Sequence, residues 1–108
     1  MDQRVERVIA YIRKNYNRKL TLAEMAATVN LSRFRLSHLF KVHTGTSPER
    51  FLARVRMEKA KQLLETEFLT VKEVMSQVGV SDASYFTRRF KEANGVTPGK
   101  LRRGTKKQ

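Results

Sequence analysis

The sequence predicts an all-α protein of seven helices, arranged as two helix-turn-helix subdomains joined by a long linker helix. Three observations carry that prediction. Apolar residues recur at i, i+3, i+4 and i+7, the spacing of a helix with one buried face. Residue types that start and stop helices divide the chain at regular places. The stretch FKVHTGTSPERF, residues 40–51, also returns as FKEANGVTPGKL, residues 90–101: aromatic, lysine, glycine, a hydroxyl residue before proline, then an apolar residue.

The first helix is expected over residues 2–17, with Val5, Val8, Ile9, Tyr11, Ile12 and Tyr16 at helical spacing and Asn15 and Asn17 ending it. Arg18-Lys19 make a basic connection to LTLAEM, residues 20–25. There Thr21 and Glu24 fit a capping box, in which the hydroxyl accepts from a backbone N–H and the carboxylate reaches back to the cap. Leu20 and Met25 stand where a hydrophobic staple places them. LTVKEV, residues 69–74, repeats every part: Thr70, Glu73, Leu69 and Val74. One such box is a common coincidence; two in matching positions are not.

These short helices should stop at Asn30 and Gly79, the two residue types that best tolerate left-handed backbone. Leu31-Ser32 and Val80-Ser81 follow, and each pair opens a longer helix, roughly 33–43 and 82–93. The repeat offset is 49 between Thr21 and Thr70 but 50 between Phe40 and Phe90, so one residue is inserted early in the second long helix or just before it. Gly45 and Gly95 close the long helices. Ser47-Pro48 and Thr97-Pro98 then begin new ones, with a hydroxyl cap and proline at the first helical position. After Pro48 the run ERFLARVRMEKAKQLLET has no Gly or Pro, and Phe51, Leu52, Val55, Ala60, Leu63 and Leu64 mark its buried face. It reads as one linker helix over about 48–66. After Pro98 only a short turn and a frayed tail, RRGTKKQ, are expected. The organisation is therefore residues 1–46 with a first helix-turn-helix at about 22–43, the linker 47–66, residues 67–103 with a second at about 71–93, and a basic tail 104–108.

The totals point to a polyanion as partner. The 108 residues carry a formal charge of +13 and a pI near 10.8, with 40 % hydrophobic residues, enough for a modest core. Such a surplus attracts nucleic acid first and an acidic membrane surface second. There is no cysteine, which excludes disulfides, thiolate metal sites and a cysteine nucleophile and suits an intracellular, cytoplasmic setting. The charged N-terminal stretch is neither a signal peptide nor a membrane span. His38 and His43 are five apart, on different helix faces, and do not form a metal pair. No Gly-rich phosphate loop is present. No catalytic residue, metal or cofactor is expected.

Two such units suit duplex DNA. The second helix of a helix-turn-helix enters the major groove, and its N-terminal half meets base edges. Successive major grooves on one face lie about 34 Å apart, and a linker of about 19 residues is roughly 28 Å long. One reading helix touches few bases; two at a fixed spacing sum their readout. A spacer that misses the DNA repeat requires bending, at about 1–6 kcal/mol, or leaves one unit poorly seated. The expected target is a pair of unlike half-sites in direct orientation, not a palindrome. The rival readings are a non-specific RNA-binding module and a membrane-surface helix. The core spacing of Phe40, Phe51, Phe86 and Phe90 argues against the first, because few rings remain for stacking.

The segment VKEVMSQVGVSDASYFTRRFKEANGVTPGKLR, residues 71–102, resembles the C-terminal signature of the AraC/XylS transcription regulators. The matching parts are Val78-Gly79 before the turn, Ser81-Asp82, Ser84-Tyr85-Phe86, Arg88, Phe90-Lys91, Gly95, Thr97-Pro98 and Arg102. RMEKAKQLL, residues 56–64, is similar to the family's linker helix. The resemblance covers about Val5 to Arg103. Val80 stands where an aromatic is usual and Leu101 where tyrosine is usual, changes that concern packing. The resemblance implies a bacterial, nucleoid-associated transcription regulator, most often an activator. It also implies double-stranded DNA as partner, with RNA polymerase as a second partner. In most members an effector-binding or dimerisation domain precedes this one. An effector is expected only with such a domain, so the chain is read as either a small member or a fragment.

For the first reading helix the resemblance places Phe34, Ser37 and His38 toward bases, beside Arg33, which can donate to guanine or hold a phosphate. Phe34 has core packing as its alternative. In the second, Phe86 and Phe90 are core by their spacing, so Ala83, Ser84, Thr87 and Arg88 project outward. Arg88 is the foremost candidate for a bidentate guanine contact, with phosphate as its alternative. Asp82 reads as a helix cap rather than a cytosine reader. The expected DNA-backbone set is Arg18, Lys19, Thr21, Lys41, Tyr85, Arg89, Lys91, Thr97, Lys100 and Arg103. Of the linker cations, among them Arg54, Arg56, Lys59 and Lys61, some are assigned to polymerase.

Overall fold

A computed structural model describes residues 1–66 and 68–106, and for 103–106 the backbone alone. Among the described residues there are seven helices and no strand, as the sequence predicts: α1 Gln3–Asn15, α2 Leu22–Ala27, α3 Arg33–Thr44, α4 Pro48–Thr66, α5 Val71–Gln77, α6 Ala83–Asn94 and α7 Pro98–Lys106. They form two compact units, Met1–Val55 and Arg56–Gln108, and α4 contributes to both.

In the first unit α1, α2 and α3 pack on one another. Val5, Val8 and Ile12 recur at helical spacing on α1 and are fully buried, together with Met25, Leu36 and Phe40; Leu52 and Val55 of α4 complete the cluster. The Phe40 and Phe51 rings meet edge to face at 5.6 Å and 77°, the arrangement the ring quadrupoles favour. Burying a side chain the size of Phe40 stabilises the unit by about 1.5–3 kcal/mol. Helix α1 is capped by Asp2, whose side chain accepts from Arg4 N at 2.7 Å. It ends at Asn15, earlier than residue 17, with the Asn15 amide donating to the Tyr11 carbonyl at 2.9 Å.

In the second unit α5, α6 and α7 pack on one another. Val74, Val78, Phe86 and Phe90 are fully buried, as are Ala60 and Leu64 on α4. Phe86 and Phe90, one turn apart on α6, stack tilted at 5.8 Å.

The turns of the two units are built alike. Leu31 N donates to the Ala26 carbonyl at 3.1 Å, and Val80 N donates to the Met75 carbonyl at 2.9 Å. Each bond closes over a left-handed residue, Asn30 with φ 55° and Gly79 with φ 80°. Asparagine and glycine take that conformation at the lowest cost. The inserted residue lies after this point. The left-handed residue precedes the next cap by two positions in the first unit, Asn30 to Ser32, and by three in the second, Gly79 to Asp82. The repeat offset therefore changes in the turn, and both reading helices keep an offset of 50 from cap to closing glycine, Gly45 and Gly95.

Two expectations need correction. Thr70 and Glu73 form the complete capping box, with Glu73 Oε1 accepting from Thr70 N at 2.8 Å and Thr70 Oγ1 from Glu73 N at 3.1 Å. Thr21 also caps its helix, but Glu24 does not reach back; its carboxylate is taken by Arg18 and Tyr11. Two strong donors, one charged, win over one backbone N–H that solvent can satisfy. The end of the chain also differs. In place of a short turn and a frayed tail, α7 continues to Lys106. Thr97 caps it, accepting from Lys100 N at 3.3 Å, and it packs against α5 and α6. Arg102 Nε donates to the Leu69 carbonyl, 33 positions back. Residues 107 and 108 of the expected tail lie outside the described residues.

Candidate nucleic-acid interface

Each reading helix is fixed at both ends before any partner arrives. Ser32 accepts from Arg35 N at 3.1 Å, and Asp82 accepts from Tyr85 N at 2.9 Å. At the other ends Gly45 N and Gly95 N donate to the Lys41 and Lys91 carbonyls, both at 2.8 Å. A cap of this kind contributes about 1 kcal/mol and, more to the point here, sets which residues begin the helix.

That register decides what each helix presents. With Leu36 and Phe40 buried on α3 and Phe86 and Phe90 buried on α6, the opposite sides carry the remaining side chains. On α3, Arg33, Phe34 and His38 are exposed and Ser37 is half-buried. On α6, Ala83, Ser84, Thr87 and Arg88 are exposed. The two sets match position for position at the offset of 50. Phe34 is 80 % exposed, so it is not a core residue. Arg33 stands seven positions before Phe40, two turns along the same side, and owes its exposure to being the first helical residue.

The expected backbone-contacting residues fall into three groups. Lys19, Thr21, Lys41, Lys91 and Lys100 are exposed. Tyr85, Arg89 and Thr97 are half-buried. The guanidinium groups of Arg88 and Arg89 both lie 5.9 Å from the centre of the Tyr85 ring, and Arg89 also pairs with Glu92 at 3.5 Å. The Tyr85 ring thus helps hold Arg88 on the outer face. Arg18 is the third case. Its Nη2 donates to Glu24 and to Tyr11 Oη (3.0 Å), its Nη1 donates to the Lys19 carbonyl (2.9 Å), and the group lies 5.9 Å from the Tyr11 ring centre. Arg18 organises the start of α2, and its charge is largely answered within the chain. The side chain of Arg103 lies outside the described residues.

Sequence reasoning passed over one residue and did not separate another from its neighbours. Arg35 is exposed on α3 beside Phe34 and His38, three positions after the cap. Its signal was its place in the first turn of the reading helix. Arg56 is half-buried, where burial works against its charge and the neighbouring Tyr85 favours it. Nothing in the run RVRMEK separates it from its exposed neighbour Arg54.

The aromatic residues do not make a stacking surface. Phe40, Phe86 and Phe90 are fully buried and Phe51 is half-buried; Phe34 and Phe68 are exposed, one in each unit. Among the described residues no helix is long and apolar enough to cross a membrane.

Comparison with known proteins places this arrangement. A family model described as a helix-turn-helix domain matches residues 25–104. The arabinose operon regulatory protein of Escherichia coli K12 is 36 % identical over 105 residues, 96 % of this chain and 36 % of that protein. The C-terminal domain of AraT, a response regulator from Geobacillus stearothermophilus, is 36 % identical. It superposes with a TM-score of 0.88 over 95 % of this chain and 86 % of that one. The DNA-binding domain of the global transcriptional factor AdpA, solved in complex with a target DNA, shares the fold. It has a TM-score of 0.88 and 24 % identity over 95 % of this chain and 93 % of that one. The chain spans about a third of the length of the curated relatives it matches.

Proposed function

The chain belongs to the AraC/XylS family of transcription regulators, and from that premise we propose that it binds double-stranded DNA in a sequence-specific manner to regulate transcription. The observation that carries the proposal is the matched register of α3 and α6. Two capped helices carry four candidate positions each, matched at one offset, on a chain of net charge +13. In this reading each helix lodges its N-terminal half in a major groove, and the two grooves are successive turns on one face of the duplex. Helix α4, with 19 residues or about 28 Å, is the spacer.

The roles divide by position. Arg33, Phe34, Ser37 and His38 on α3, and Ala83, Ser84, Thr87 and Arg88 on α6, face base edges. Lys19, Thr21, Lys41, Lys91, Lys100 and Arg35 hold phosphates, together with the amino ends of the helices. Tyr85 supports Arg88, Arg89 pairs with Glu92 beside the same ring, and Arg18 supports the start of α2. Arg54 and Lys61 are exposed on α4 and are the residues assigned to RNA polymerase, consistent with activation.

The test is selection from random duplexes followed by footprinting. Two protected major grooves one turn apart, over unlike half-sites in direct orientation, are expected. Recovery of palindromes alone, or protection of a single groove, would overturn the proposal.

A further inference from the structure

The two reading helices expose different chemistry at one register. On α3 the outward ridge is Phe34, His38 and Val42, spaced four apart, and Phe34 and Val42 are 80 % and 66 % exposed. Fifty positions later the ridge of α6 is Ser84, Arg88 and Glu92, all exposed and all polar. The core side of α3 is already filled by Leu36 and Phe40, and Phe34 and Val42 stand in solvent without a covering partner among the described residues. A phenylalanine ring 80 % exposed among cationic side chains can meet a partner that is both charged and apolar. The cations are Arg33, Arg35 and Lys41, all exposed, which fits a polyanion.

The major groove offers one apolar group, the 5-methyl of thymine. Phe34 is the second residue of α3, in the half of the helix that meets base edges. Its ring has no hydrogen-bonding group, so it can tell bases apart only by that methyl. Val42 lies about 12 Å further along the helix and cannot reach the same base step. On α6 the corresponding ridge has no apolar side chain. Arg88, steadied over Tyr85, has the fork that matches guanine O6 and N7.

We propose, resting on the duplex-DNA reading above, that the two half-sites differ in kind: α3 reads a thymine methyl through Phe34, whereas α6 reads a guanine through Arg88. The asymmetry of the chain then fixes the direction in which it sits on its site.

The test uses the 108-residue chain and the duplex recovered by selection. Each thymine is replaced in turn by deoxyuridine, which deletes only the methyl, and each guanine by 7-deazaguanine, which deletes only the N7 acceptor. At one or two thymines of one half-site, deoxyuridine should weaken binding about fourfold, the effect of one buried methyl. The Phe34→Ser chain should lose that sensitivity and keep the 7-deazaguanine effect in the other half-site. Arg88→Ala should do the reverse. Because Phe34 is exposed, Phe34→Ser should melt like the parent chain. Deoxyuridine tolerated at every position, or a deoxyuridine effect that persists in Phe34→Ser, overturns the proposal while leaving specific binding intact. A chain that selects no duplex sequence at all overturns both.

Discussion

Tyr11 and Glu24 are joined side chain to side chain across thirteen positions: the phenol of Tyr11 donates to the Glu24 oxygen that also accepts from Arg18. The contact ties α1 to the first turn of α2 and, through the turn at Asn30, to α3, the helix proposed to meet DNA. In the second unit the matching residue, Glu73, serves the capping box instead.

Removing the phenol should loosen the first unit. Tyr11→Phe keeps the ring and deletes two hydrogen bonds, the partly buried one to Glu24 and the exposed one from Arg18, with the partly buried bond alone worth about 1 kcal/mol. Chemical denaturation should show a lower midpoint at unchanged slope. Glu24 also makes this cluster acid-sensitive. The Arg18 guanidinium, and then the Tyr11 phenol, hold its carboxyl below the usual carboxylate range. A carboxyl depressed in the folded state stabilises above its unfolded value and loses that contribution as pH falls through the folded one. Glu24→Gln should flatten that part of the acid limb.

Asp2 supplies a second acid-dependent contact. Hydrogen bonds from the Arg4 side chain and backbone hold its carboxyl at about 2, below the ordinary 3.8. Its contribution to α1 should be complete above pH 3.8 and fade between there and about 2. Asp2→Asn keeps a capping acceptor but should abolish the dependence, as followed by denaturant titrations across that range.

The cap of the second reading helix is replaceable by chemistry, not by size. Asp82→Ala should destabilise the protein by about 1 kcal/mol and weaken DNA binding, because the first turn of α6 carries Ser84. Asp82→Ser should restore both, since Ser32 does the same work on α3. Thermal melting and a gel-shift titration measure the two effects together.

Base-reading and phosphate-holding residues should separate in selection experiments. Arg88→Ala should cost about 1–3 kcal/mol on the preferred site and relax preference at one position. Lys91→Ala should weaken all duplexes alike and lower the slope of log K against log salt by about 0.9. A Lys91 variant with altered sequence preference would reverse that assignment.

An alanine inserted between Val55 and Arg56 tests the spacer. It turns whatever follows in α4 by about 100° and advances it about 1.5 Å. Each unit packs on its own side of that point, so both should remain folded by circular dichroism. Affinity for the composite site should fall at least about tenfold, while affinity for an isolated half-site should not change.

Much of this molecule was legible in one dimension. Helix starts at Thr21, Ser32, Ser47, Thr70 and Thr97, the left-handed residues Asn30 and Gly79, and the closing glycines Gly45 and Gly95 are decided by bonds between residues three to five positions apart. The same short-range logic places Phe40, Phe86 and Phe90 inside and, by exclusion, the reading faces outside. The sequence alone thus determined the helices, their register and the duplication. The tertiary structure decided where long polar side chains spend their hydrogen bonds: Glu24 on Tyr11 and Arg18 rather than on its own cap, and Arg102 on the Leu69 carbonyl. It also decided that Phe34 stands in solvent and that α7 continues to Lys106. Each of those outcomes turns on whether a neighbour distant along the chain is present in space, and local spacing carries no record of that.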